Sequence, residues 1–103
     1  MVIEALNQTG QQTLTVSTNA VSLTLPASPN GRPKRALIYI GGQPIRWRAD
    51  GTAPTATAGM PVGAGAYIEW VEGKDFYGLI KNVQFIRDTS ATADATLEIA
   101  YFS

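Results

Sequence analysis

The chain predicts an all-β protein: a single antiparallel β-sandwich of jelly-roll type with seven or eight strands, occupying residues 1–103 as one domain. Three observations predict it. Short stretches alternate apolar and polar side chains with a period of two, which sets one sheet face inward and the other outward. Turn residues separate these stretches at intervals of about ten residues, the rhythm of a sandwich or barrel. No stretch keeps a helical apolar period over three turns.

The strands follow in order. Leu14 and Val16 alternate with Thr13, Thr15 and Ser17. Val21, Leu23 and Leu25 alternate with Ser22 and Thr24, and Pro26 ends that strand because it has no N–H for a ladder. Ser28-Pro29-Asn30-Gly31-Arg32-Pro33 reads as a turn or protruding loop, with Asn-Gly supplying positive φ at little cost. Residues 36–40 are apolar on both faces, as suits a central strand. Gly41-Gly42 breaks that strand, and a hairpin leads into 45–50. There Ile45, Trp47 and Ala49 face one side and Arg46, Arg48 and Asp50 the other, so Trp47 belongs to the core.

A stretch of Gly, Ala, Thr and Pro follows over 50–65. Unstructured loops longer than about 12–15 residues are uncommon in compact domains unless they have a function. Its small side chains let backbone approach backbone. Met60 reads as a peg holding the loop on the body, since methionine fills irregular apolar gaps. The loop lies either on a neighbouring subunit or over its own sandwich. Beyond it, 66–71 is a strand with Ile68 and Trp70 on one face. Gly73-Lys74-Asp75 is a turn, and 79–87 is a strand with Val83 and Phe85 opposite Ile86. Residues 88–94 form a polar loop. The last strand, 96–102, sets Leu97, Ile99 and Tyr101 against Thr96, Glu98 and Ala100.

Composition narrows the function. Eight basic residues balance eight acidic ones, so no overall field gathers nucleic acid or anionic lipid. No apolar run reaches bilayer-spanning length, and the first residues lack the basic start and apolar run of a secretion signal. Histidine and cysteine are absent. That removes the commonest general base, the usual serine-hydrolase triad, thiol chemistry and cysteine–zinc sites. Carboxylates remain. Glu69 and Glu72 sit at an odd spacing and point to opposite faces of a strand. Asp88 and Asp94 flank a loop, but their spacing matches no calcium motif. We therefore expect no enzyme activity, no catalytic residue, no metal and no cofactor. Only 16% of the chain is charged, against about a quarter in ordinary domains. A surface so poor in charge suits self-association or docking, although abundant Thr, Ser, Asn and Gln also keep a surface polar.

Arg32, Lys34 and Arg35 form a basic cluster at the start of a strand. It faces an acidic partner surface, or else it protects a sheet edge from unwanted pairing. Arg46 and Arg48 are placed to pair with Asp50 or Glu98.

Several words of the sequence resemble those of a recurrent class of small tailed-bacteriophage virion structural proteins. They are Pro44-Ile45-Arg46-Trp47-Arg48, Asp50-Gly51-Thr52-Ala53-Pro54-Thr55, Gly59-Met60-Pro61, Phe85-Ile86-Arg87 and Ala95-Thr96-Leu97-Glu98-Ile99-Ala100-Tyr101. The likeness spans residues 34–102 and leaves the N-terminal third unmatched. It implies a non-enzymatic virion protein of the capsid decoration or cement kind, assembled in the bacterial host cytoplasm. It also implies a homotrimer bound to the major capsid protein or other virion proteins, without nucleic acid or membrane. A head-fibre or tail component would look similar. Expected subunit or capsid contacts are Arg32, Lys34, Arg35, Thr52, Pro54 and Thr55. The main rival is a carbohydrate- or receptor-binding sandwich, for which Tyr39, Tyr67, Trp70, Phe76 and Tyr77 are the candidate platform.

Overall fold

Alternation along the chain builds two antiparallel sheets around one apolar core. The computed structural model describes residues 8–25, 33–71 and 76–102. Its strands are β1 (Gln8–Val16), β2 (Val21–Ser22), β3 (Arg35–Gly41), β4 (Ile45–Arg48), β5 (Met60–Val62), β6 (Tyr67–Val71), β7 (Gln84–Arg87) and β8 (Ala95–Phe102). One short helix, α1 (Phe76–Asn82), lies between β6 and β7. One sheet has the order β1-β8-β3-β6 and the other β2-β7-β4-β5. Every pairing is antiparallel.

The last strand shows how sequence becomes core. Ala95, Leu97, Ile99 and Tyr101 are buried, while Thr96 and Glu98 are exposed. Its neighbour β3 buries Ala36, Ile38 and Ile40, and the register sets Ile38 beside Ile99 and Ile40 beside Leu97. The second sheet contributes Ile45 and Phe85. Each such side chain contributes about 1.5–3 kcal/mol by leaving water. Trp47 from β4 and Trp70 from β6 meet edge to face, with centroids 5.2 Å apart, and join the two sheets. Both are half-buried and pack on the core. Among the described residues, no polar or charged side chain is buried.

Five features differ from the expectation. The hairpin expected across Gly41-Gly42 does not form: β3 pairs with β6 and β8, β4 with β5 and β7, and the two strands lie in different sheets. Residues 79–87 are not one strand: α1 runs to Asn82, and only Gln84–Arg87 is extended. Phe76, Ile80 and Val83 are buried at spacings of four and three, so they form one face of a short helix. β2 is cut to two residues for the same reason. Val21 and Ser22 pair with Phe85 and Gln84, and the partner chain beyond Gln84 is no longer a strand. Leu23 and Leu25 still pack on the core. β3 is central in its sheet, but only one of its faces is covered: Leu37 is half-buried and Tyr39 exposed. Finally, the stretch 50–65 is not structureless. It contains β5 and an isolated bridge between Thr55 and Ala58.

The turn expected at Gly73-Lys74-Asp75 lies outside the described residues, as do Pro26 and residues 28–32.

Candidate interaction surface

Arg46 organises the second sheet's outer side. It points away from the core, because it alternates with buried Ile45 and half-buried Trp47. Its Nε donates to Asp88 Oδ1 at 2.6 Å and its Nη1 to the Gly59 carbonyl at 3.0 Å. The side chain thus ties the 88–91 turn and the 50–59 loop to β4. Thr89 N–H completes the tie by donating to the Ala56 carbonyl at 2.9 Å. Within the loop, Thr55 and Ala58 exchange two backbone hydrogen bonds, and Thr55 Oγ1 accepts a third from Ala58 N–H at 3.0 Å. Pro54 is buried. The loop is tied to its own body, while its Thr52 and Thr55 stay exposed. Met60 is not the peg, since it is exposed; Pro54 and Arg46 anchor the loop instead.

The expected contact residues separate into two groups on different sheets. Lys34 is exposed, and its backbone N–H donates to the Phe102 carbonyl at 2.7 Å. Arg35 opens β3, lies over the Phe102 ring at 5.5 Å and forms an ion pair with Glu69 on β6. β3 has a neighbour on each side, so Arg35 guards no sheet edge. Thr52, Pro54 and Thr55 belong to the loop of the other sheet. Thr52 and Thr55 are exposed, and Thr52 N–H donates to Asp50 Oδ1 at 3.2 Å. Arg32 lies outside the described residues.

Among the described residues, the carboxylates are engaged by neighbours. Asp94 pairs with Arg87 at 3.1 Å, and Arg48 Nε donates to Asp50 Oδ1 at 3.0 Å. Asp88 is held down to about 2, from 3.8, chiefly by the Ser90 hydroxyl and N–H and then by Arg46. Asp50 is likewise lowered to about 2, first by Arg48 and then by the Thr52 N–H. A carboxyl with a depressed folded-state pKa adds stability above its unfolded value and loses it as pH falls through the folded value. Melting temperature should therefore hold steady down to about pH 4 and fall between about 4 and 2. Asp88→Asn should melt lower at neutral pH and show a shallower acid fall. An unchanged acid profile in that variant would remove Asp88 from this role.

The sequence alone did not mark one exposed face that the structure brings together. The exposed large apolar side chains among the described residues are Tyr67 (65%), Val71 (59%), Met60 (57%) and Tyr39 (37%). Tyr39, Tyr67 and Val71 lie on the outer face of one sheet, and Met60, opposite Trp47, lies on the border of the other. Met60 lies on β5, and Tyr67 and Val71 on β6. Tyr39 packs against Tyr67 with centroids 5.0 Å apart. Of the remaining platform candidates, Trp70 is half-buried and Phe76 is buried. The Tyr77 side chain lies outside the description. Comparison with family models, with curated proteins and with solved structures finds no match to this chain.

Proposed function

We propose that the chain is a jelly roll serving as a non-enzymatic structural protein of a phage virion, a decoration or cement protein that forms a homotrimer and binds the capsid shell. The fold part is supported by strand order. β1 pairs with β8, β2 with β7, β3 with β6 and β4 with β5, which is a long hairpin folded over on itself. Double-sheet jelly rolls of eight strands serve in viral capsid and lectin domains. The virion part rests on the resemblance. Its support is that the matching words form one folded unit: Arg46 holds Gly59, the loop between them buries Pro54, and Asp88 follows the Phe85-Ile86-Arg87 word.

The observation that carries docking is the exposed outer face bearing Tyr39, Tyr67 and Val71. Attachment at several points on a shell raises effective concentration, so modest contacts hold tightly together. Binding only the assembled shell then favours assembly by mass action.

Incubation with expanded phage capsids, followed by sedimentation, tests the proposal. The protein should pellet with shells and raise their disassembly temperature, and light scattering should give a trimer. Failure to pellet with shells of tailed phages would sink the cement reading.

One observation favours a second reading. The Tyr39–Tyr67 pair is exposed on the same face as Glu98 and Thr13, whose side chains hydrogen-bond at 2.8 Å. Exposed rings beside polar groups suit a saccharide. Glycan-array binding lost in Tyr67→Ala would favour that module.

A further inference from the structure

Four strands border the two sheets: β1, β6, β2 and β5. Proteins normally blunt such borders with short strands, proline, lysine or irregularities, because an open ladder recruits another chain. β2 has two residues. β5 has three, and its middle residue, Pro61, has no N–H. β1 carries a register shift between Gln8 and Gly10, and residues 23–25 run beside it, with Thr24 N–H donating to Gln12 Oε1 at 3.0 Å. β6 is not short and has no proline, lysine or irregularity, and its one charge, Glu69, is paired with Arg35. It reads Tyr-Ile-Glu-Trp-Val over five residues, without lysine or proline, and is rich in strand-forming side chains. Among the described residues, only β3 pairs with it.

The free ladder groups of β6 follow from register. Ile40 N–H donates to the Ala66 carbonyl at 3.0 Å and the Ile40 carbonyl accepts from Gly65 N–H at 2.7 Å, so Ile40 turns both backbone groups toward the segment that opens β6. Backbone direction alternates along an antiparallel pair. Ile68 and Trp70, opposite Ile38 and Ala36, therefore also bond toward β3. The N–H and C=O of Tyr67, Glu69 and Val71 point to the open side. The side chains of these same three residues are exposed.

We infer that this border pairs with the same border of a second copy, antiparallel about a two-fold axis through Glu69. The strand is self-complementary in that register. Tyr67 of each copy falls opposite Val71 of the other, an aromatic–β-branched pair of the favoured kind. Ile68 falls opposite Trp70 on the inner face. The two Glu69 side chains meet at the axis, a like-charge contact that opposes pairing, and each is neutralised by its own Arg35. The partner is thus a second copy of this chain, and the contact is a continuous sheet running from one protomer into the next. A two-fold contact leaves room for a separate three-fold contact, and the two together would link trimers. The inference does not depend on the virion reading.

Sedimentation velocity of the full chain across a dilution series tests it. A reversible step that doubles the mass of the smaller species is expected. Tyr67→Pro deletes an outward N–H at a strand's first residue, where proline is tolerated. Val71→Lys puts a charge opposite Tyr67. Each should weaken the doubling by about tenfold or more, the effect of about 1.4 kcal/mol. Thr15→Lys, on the far border of the same sheet, should leave it unchanged. Circular dichroism establishes that each variant folds, and Val71→Lys carries the test if Tyr67→Pro does not. Absence of the doubling, or its survival in the folded border variants, overturns the inference. A chain that doubles yet fails to pellet with capsids would refute the virion proposal and leave this one standing.

Discussion

Phe85→Ala is expected to lower the unfolding free energy by about 3–5 kcal/mol, the range for deleting a fully buried phenylalanine. Phe85 is fully buried at the middle of the second sheet. Its strand is flanked on both sides, with Val21 of β2 and Trp47 of β4 directly opposite it. Ladders on both sides hold the backbone in place, so the void left by the ring cannot close by collapse. A domain of this size has about 5–15 kcal/mol in all. The variant should therefore melt far lower, by roughly 4–8 °C for each kcal/mol lost. Urea and thermal unfolding followed by circular dichroism measure this directly. Met60→Ala, on an exposed side chain, should stay within about 0.5 kcal/mol. A loss under about 1 kcal/mol at Phe85 would mean that the two sheets do not share the core described.

Which parts of this fold were legible depends on the distance over which the sequence signal acts. The alternation of β8 is local, and it gave the buried set Leu97, Ile99 and Tyr101 correctly. The helix α1 spans seven residues, too few for its period to outweigh the strand-like run that follows in β7. Phe76, Ile80 and Val83 held its only signal, and Val83 and Phe85 also fit a strand. β5 was hidden because Pro61 argues against a strand, and only its border position makes it acceptable. Strand partners were not legible: the one pairing the turn residues suggested, a hairpin of β3 with β4, joins strands that lie in different sheets. Thr13 bonds Glu98 across 85 positions of sequence, and alternation says nothing about which strand lies beside which.

The candidate surface was legible in its residue types and illegible in its assembly. Lys34 and Arg35 looked like one half of a docking patch with Thr52, Pro54 and Thr55, but two different sheets carry them. Pro54 turned out to be buried and Met60 exposed, because burial in a loop follows from the tertiary clamp rather than from polarity. The clamp itself, Arg46 to Asp88, joins residues 42 positions apart. The border of β6 was the hardest to see. Tyr67 and Val71 are ordinary strand residues until topology shows that β6 ends its sheet.

The loop clamp predicts a second large effect, at Gly59. This glycine has φ of 136°, a region that side chains rarely enter. A Cβ there would stand 3.1 Å from the Trp47 carbonyl oxygen and 3.3 Å from the Cβ atoms of both Arg46 and Pro54. Gly59→Ala must therefore strain the backbone or lift the loop, at a cost of about 1–3 kcal/mol. Lifting is the easier path, because the loop is held by few contacts while β4 is fixed between β5 and β7. The Gly59 carbonyl then leaves Arg46, and the Ala56 carbonyl leaves Thr89. Amide exchange should accelerate at Thr89, Thr55 and Ala58, whose N–H groups bond to or within the loop. Exchange at Ile38 and Ile99 in the other sheet should stay slow unless global stability falls as well. Gly63→Ala is the matched control. It lies beyond β5 with open space around its Cβ and no positive φ, so the substitution should be neutral or slightly stabilising. Equal effects at the two glycines would show that the loop is not clamped at Gly59. A selective effect at Gly59 would also separate the loop from the β6 border: if the loop does no docking, the Gly59→Ala protein should still double in mass while its loop amides exchange freely.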